Sequence, residues 1–96
     1  MEEEALESEI QIVVLINHLN LISEVQPVYA SDLGEPDCRL TKPCIIEKEK
    51  LTGGYTVKKW LGEYTKDEFV MISSDKILTI IQPKEYFINE YLKITK

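Results

Sequence analysis

Apolar residues along this chain fall into short runs with two spacings, and those spacings predict its elements. Ile10-Gln11-Ile12-Val13-Val14-Leu15-Ile16 is rich in β-branched residues and apolar on both sides. A run that short predicts a strand buried on both faces rather than a helix. Asn17-His18 follows at once. Both residue types tolerate left-handed backbone, so they predict a tight hairpin turn. Leu19, Leu21 and Val25 then alternate with Asn20, Glu24 and Gln26, the period of a half-exposed strand. Ile22 and Ser23 interrupt that alternation and predict a bend. Pro27 predicts a kink, an end or a free edge.

Ser31-Asp32-Leu33-Gly34-Glu35-Pro36 reads as a loop by composition. Cys38, Leu40, Cys44 and Ile46 share one parity, opposite Arg39, Thr41 and Glu47, and predict a third strand. Pro43 lies inside it and cannot donate to a ladder, so an edge or a bulge is required there. Residues 48–67 form a long polar connection around Gly53-Gly54, with Tyr55, Val57, Trp60 and Tyr64 scattered along it. Irregular stretches of that length are unusual in a small domain. Part is predicted to extend the flanking strands as a hairpin, or to form a turn of helix at Lys58–Tyr64, with its aromatics in local packing.

Phe69–Ile72 and Ile77–Ile81 are apolar runs on either side of Ser73-Ser74-Asp75-Lys76. They predict two short strands joined by a tight turn. Gln82-Pro83 ends the second strand, and Pro83 suits the first turn of a helix. Phe87, Ile88, Tyr91 and Leu92 fall on one face of that helix, predicted over 83–93, and the stripe is expected to pack on the sheet. The inventory is five short strands and a C-terminal helix in a single mainly β domain over 1–96. Strands this short and twisted tend to curl into a small barrel.

Composition narrows the class. A chain of 96 residues with 44% apolar content can bury a modest core, which excludes a disordered or collagen-like chain. No apolar run reaches the ~18 residues of a membrane span, and no basic-plus-apolar leader opens the chain. A soluble cytoplasmic protein is the expectation, with no membrane partner. Net charge is −6, and Glu2, Glu3, Glu4, Glu7 and Glu9 make residues 1–9 an acidic arm. Residues 39–66 carry Arg39, Lys42, Lys48, Lys50, Lys58, Lys59 and Lys66 against Glu47, Glu49 and Glu63, so one basic surface on an acidic protein is open. The acidic total argues against general nucleic-acid binding.

Candidate chemistry is sparse. Cys38 and Cys44 lie six residues apart. On one strand they sit ~20 Å apart on the same face, beyond the reach of a disulfide. With His18 the single histidine, neither CxxC nor HxxxH spacing occurs, and buried free thiols are expected. No nucleophile–base pair, GxSxG or phosphate loop is present, so no enzyme, cofactor or metal is expected. The turn Ser73–Lys76 is the one place where hydroxyls, a carboxylate and an ammonium cluster between well-defined strands.

Two segments together carry a resemblance. Val13–Val25, with Asn17 at the turn, resembles the first two strands of Sm-like (LSm, Hfq-type) proteins, His18 and Ser23 standing where glycines are usual. Phe69–Ile81 looks like the second Sm motif: Ile72, Asp75 and Ile77 match, and Ser73-Ser74 replaces Arg-Gly. The resemblance covers roughly residues 10–83, with 48–67 as an insertion. The acidic arm, Pro43-Cys44-Ile45-Ile46 and the appended helix look most like a marine cyanophage branch of the fold. In Sm proteins the helix usually precedes the barrel, whereas here it follows.

The resemblance implies a strongly bent five-stranded barrel and a homo-oligomeric ring of five to seven subunits, with five favoured. The strands flanking the turn would pair between subunits through Phe69, Val70, Met71, Ile72, Ile77, Leu78 and Ile80. It also implies single-stranded RNA or DNA as ligand, in phage RNA or DNA processing within a host cytoplasm. Asp37, Arg39, Ser73, Ser74, Asp75 and Lys76 are the contact candidates. Ser and Asp side chains suit base edges, and Lys76 and Arg39 suit phosphates. Each also has a plainer reading as a solvated or turn-stabilising residue. The alternative function is a structural or adaptor ring that binds a protein.

Overall fold

The computed structural model describes residues 9–28 and 35–95. The acidic arm, apart from Glu9, and the first part of the loop expected at Ser31–Pro36 lie outside the described residues. β1 (Glu9–Leu15) and β2 (Asn20–Pro27) form the expected hairpin. His18 holds φ 69° at its turn, and the Leu19 amide donates to Asn17 Oδ1 at 3.2 Å. Asn17 therefore ties down the turn that His18 closes.

β3 (Cys38–Lys48) runs antiparallel to β2. Its register slips between Ile22 and Glu24, so Lys42 and Pro43 together stand opposite Ser23. This is a β-bulge, with Lys42 at φ 52° in the left-handed region. The bulge resolves the Pro43 question, since a residue without an amide proton costs no ladder bond there. It also reverses the alternation of β3. Cys38 and Leu40 join one core cluster and Cys44 the other. The two thiols, both free and buried, therefore do not share a face as uninterrupted alternation predicts.

The predicted count of five strands becomes six among the described residues, because the connection 48–67 contains β4 (Tyr55–Lys59). β4 closes a hairpin onto the second half of β3, from Cys44 to Lys48. The hairpin alternative for this segment holds. In place of a helical turn at Lys58–Tyr64, β4 runs to Lys59 and a turn follows, with the Tyr64 amide donating to the Leu61 carbonyl. β5 (Phe69–Ile72) pairs with the first half of β3, and β6 (Ile77–Ile81) pairs with β1. The order β4-β3-β2-β1-β6, with β5 beside β3, gives one antiparallel sheet that is not closed.

The sheet buries both faces. Val13, Leu21, Val25 and Leu40 pack on one side, with Trp60, Val70, Ile72 and Ile77 against them. On the other side α1 (Glu85–Thr95) lays Phe87, Tyr91 and Leu92 over Ile12, Ile22, Cys44 and Ile46. Three of the four stripe residues therefore pack on the sheet as their spacing predicts, and Ile94 joins them where Ile88 does not. The helix starts two residues later than predicted, because the Lys84 carbonyl accepts the first intrahelical bonds, from Phe87 and Ile88. Pro83 precedes that cap instead of occupying the first turn.

Candidate functional site

The short turn after β5 is a single 3₁₀ turn over Ser74–Lys76. Its first amides need acceptors, and Ser73 makes no side-chain cap. Asp37 does this from outside: the Ser74 amide donates to Oδ1 at 2.7 Å, and the Ser74 hydroxyl donates to Oδ2 at 2.8 Å. The Asp37 amide in turn donates to the Ile72 carbonyl at 3.2 Å. Asp37 thus joins the start of β3 to the end of β5 through its amide and to the turn through its carboxylate. The Ser74 hydroxyl, and then its amide, hold the Asp37 carboxyl below its ordinary range.

Six contact candidates therefore divide. Asp37, Ser73 and Ser74 come together, with both Asp37 oxygens and the Ser74 hydroxyl engaged with each other. Asp75 and Lys76 are exposed, while the backbone of Lys76 accepts from Ile16 at 2.9 Å and so fixes the turn to the first hairpin. Arg39 turns elsewhere, with its guanidinium 4.0 Å from the centre of the Phe69 ring. Such a cation stacked on an aromatic face is held in place and still presents a flat charged surface. Its Nε is buried without a hydrogen-bond partner.

β6 forms one edge of the sheet, while β5 shares the far side of β3 with β4, and each of the three is bonded to one neighbour only. The side chains of β5 divide by parity, whereas those of β6 are exposed at every residue after Ile77. Val70, Ile72 and Ile77 pack on the inner core. Phe69, Met71, Leu78 and Ile80 are 41%, 38%, 60% and 39% exposed, and Ile81, absent from the expected set, is 49% exposed. Alternation in β5 is readable from sequence; in β6, Thr79 and Ile81 share the parity of Ile77 and are exposed all the same.

The bulge supplies a second polar centre that spacing does not reveal. The Thr41 carbonyl accepts from the Ser23 hydroxyl at 2.8 Å and from the Tyr91 hydroxyl at 3.0 Å. Ser23 and Tyr91 are fully buried, so these bonds satisfy groups that water does not reach. Burial pushes the Cys44 thiol up to about 11 and the Tyr91 phenol up from its ordinary value. Lys42, Lys59 and Trp60 converge beside this bulge, which Pro43 signals in the sequence. Among the described residues no three His, Cys, Asp or Glu side chains gather as metal ligands. No helix among them is long and apolar enough to cross a membrane.

The chain belongs to a family of unknown function, DUF6561, whose model matches residues 8–96. No curated protein matches it.

Proposed function

We propose that this chain is a ring-forming Sm-like module whose subunits join edge to edge through β5 and β6, and that the ring binds single-stranded nucleic acid. One observation carries the reading: the strands before and after the 3₁₀ turn each have an unpaired edge, as β4 also has, and both expose apolar side chains, whereas β4 carries Lys58 and Lys59. Exposed apolar edge strands invite pairing with another chain. β5 and β6 are different surfaces, so their pairing is head-to-tail and closes into a ring when the rotation permits. In the Sm-like resemblance these are also the strands that join subunits.

The nucleic-acid reading rests on exposed Lys76 and on the Arg39–Phe69 stack, a cation for phosphates and a flat surface for bases. A protein-binding ring is the second reading. A net charge of −6 favours it, as does a Ser74 hydroxyl already engaged by Asp37. Its version through the helix stripe is disfavoured, because Phe87, Tyr91 and Leu92 face the sheet.

Size-exclusion chromatography with light scattering is expected to give a closed oligomer at micromolar concentration; a monomer of 11.1 kDa would sink the ring. Labelled oligouridine or oligothymidine is expected to bind the oligomer with an affinity that falls as salt rises. Lys76→Glu and Arg39→Glu should each weaken that binding. No binding at low salt would end the nucleic-acid reading and leave the protein-binding ring.

A further inference from the structure

The outer strand of the sheet breaks between Lys59 and Phe69, and residues 60–68 leave the ladder and return. Both ends of this excursion are tied to the bulge of β3. The Trp60 amide donates to the Pro43 carbonyl at 3.0 Å, and the Lys42 amide donates to the Glu68 carbonyl. Between the excursion, the bulge and the C-terminal end of α1 lies a cleft of about 290 Å³, near the lower size of small-molecule sites.

Three features of the cleft point to a ligand. Backbone is held in the left-handed region at two non-glycine residues around it, Lys42 at φ 52° and Leu61 at φ 67°. Such conformations persist where surroundings enforce them, and they concentrate at functional sites. Charge is the second feature. Lys42, Lys59 and Lys66 line the cleft against Asp67 and Glu68, a positive balance on a chain of net charge −6. The third is Trp60, the single tryptophan, an aromatic residue that lines the cleft while packing in part on the inner core.

Local geometry keeps the polar groups available. Gly62 leaves room for Lys59, since a Cβ there would lie 3.2 Å from Lys59 Cβ. Thr65 Oγ1 accepts from the Asp67 amide at 3.0 Å, which leaves its hydroxyl proton to donate. The Lys42 ammonium lies 3.5 Å from the Thr95 carbonyl at the helix end, which anchors it beside the opening.

We infer that this cleft binds a small phosphate-bearing molecule with a planar ring, of mononucleotide size. Lys59 and Lys66, with Lys42 behind them, meet the phosphate, and Trp60 meets the ring. The site is separate from the 3₁₀ turn and does not depend on ring assembly.

Trp60 fluorescence reports occupancy directly in the full chain, with titration calorimetry as a second readout. Uridine monophosphate is expected to change the emission saturably, to bind at least about tenfold more tightly than uridine, and to weaken with salt. Lys59→Ala and Lys66→Ala should each lose about tenfold in affinity, with circular dichroism unchanged. Absence of both fluorescence change and heat with the monophosphate would overturn the inference. So would equal binding of uridine, or full affinity in both lysine variants.

Discussion

Cys44 shows how one buried side chain couples this fold to pH. Its thiol is fully buried, and burial raises it from 9.0 to about 11, although Lys59 pulls the other way. An unfolded chain loses that proton near 9.0, whereas the folded chain holds it until about 11. The unfolded state therefore binds fewer protons in that window. Stability from this group is complete below 9.0 and is lost as pH rises to about 11. At about 1.4 kcal/mol per pH unit the loss is on the order of 2–3 kcal/mol. Tyr91 shifts in the same direction and adds to the fall. Urea midpoints measured across that range should decline, and Cys44→Val should decline less steeply.

At the scale of elements, the bulge in β3 and the helix α1 depend on each other. The bulge presents the Thr41 carbonyl to Ser23 and Tyr91, and α1 delivers the Tyr91 hydroxyl to it. Tyr91→Phe removes one of the two donors and keeps the ring, so the expected loss is about 1 kcal/mol. Tyr91→Ala also empties the space between helix and sheet, for about 3–5 kcal/mol. Equilibrium urea unfolding separates the two; equal losses would mean that the ring contributes nothing to packing. The stripe in α1 is legible in sequence because Phe87 and Ile88 recur one turn on at Tyr91 and Leu92. The bulge is legible only in part: Pro43 demands one, but nothing in the sequence says that Lys42 takes the left-handed backbone.

At the scale of the molecule, the sheet has two unlike edges that expose apolar strands, β6 on one side and β5, next to β4, on the other. A head-to-tail assembly makes a sharper demand than size alone. Phe69→Lys with Met71→Lys blocks the β5 edge and spares β6, while Leu78→Lys with Ile80→Lys does the reverse. Each variant alone should run as a monomer. Mixed, they should form a heterodimer of about twice 11.1 kDa through the two intact edges, and nothing larger. Light scattering reads the result, and two variants that stay monomeric when mixed would rule out β5–β6 pairing.

Sequence by itself determined five of the six described strands, the first hairpin, the turn after Ile72 and the helix, because each shows in the spacing of near neighbours. Alternation, Asn17-His18 and the stripe from Phe87 to Leu92 are signals of that local kind. Only the tertiary structure decided what depends on distant partners. Asp37 caps a turn 37 residues away at Ser74. A one-residue slip at Lys42–Pro43 sends Cys38 and Cys44 to opposite faces. The connection 48–67 contributes a sixth strand, where it pairs with the second half of β3, and then a cleft, where it leaves the ladder. Spacing encodes which face a residue takes within an element, and packing settles which elements meet.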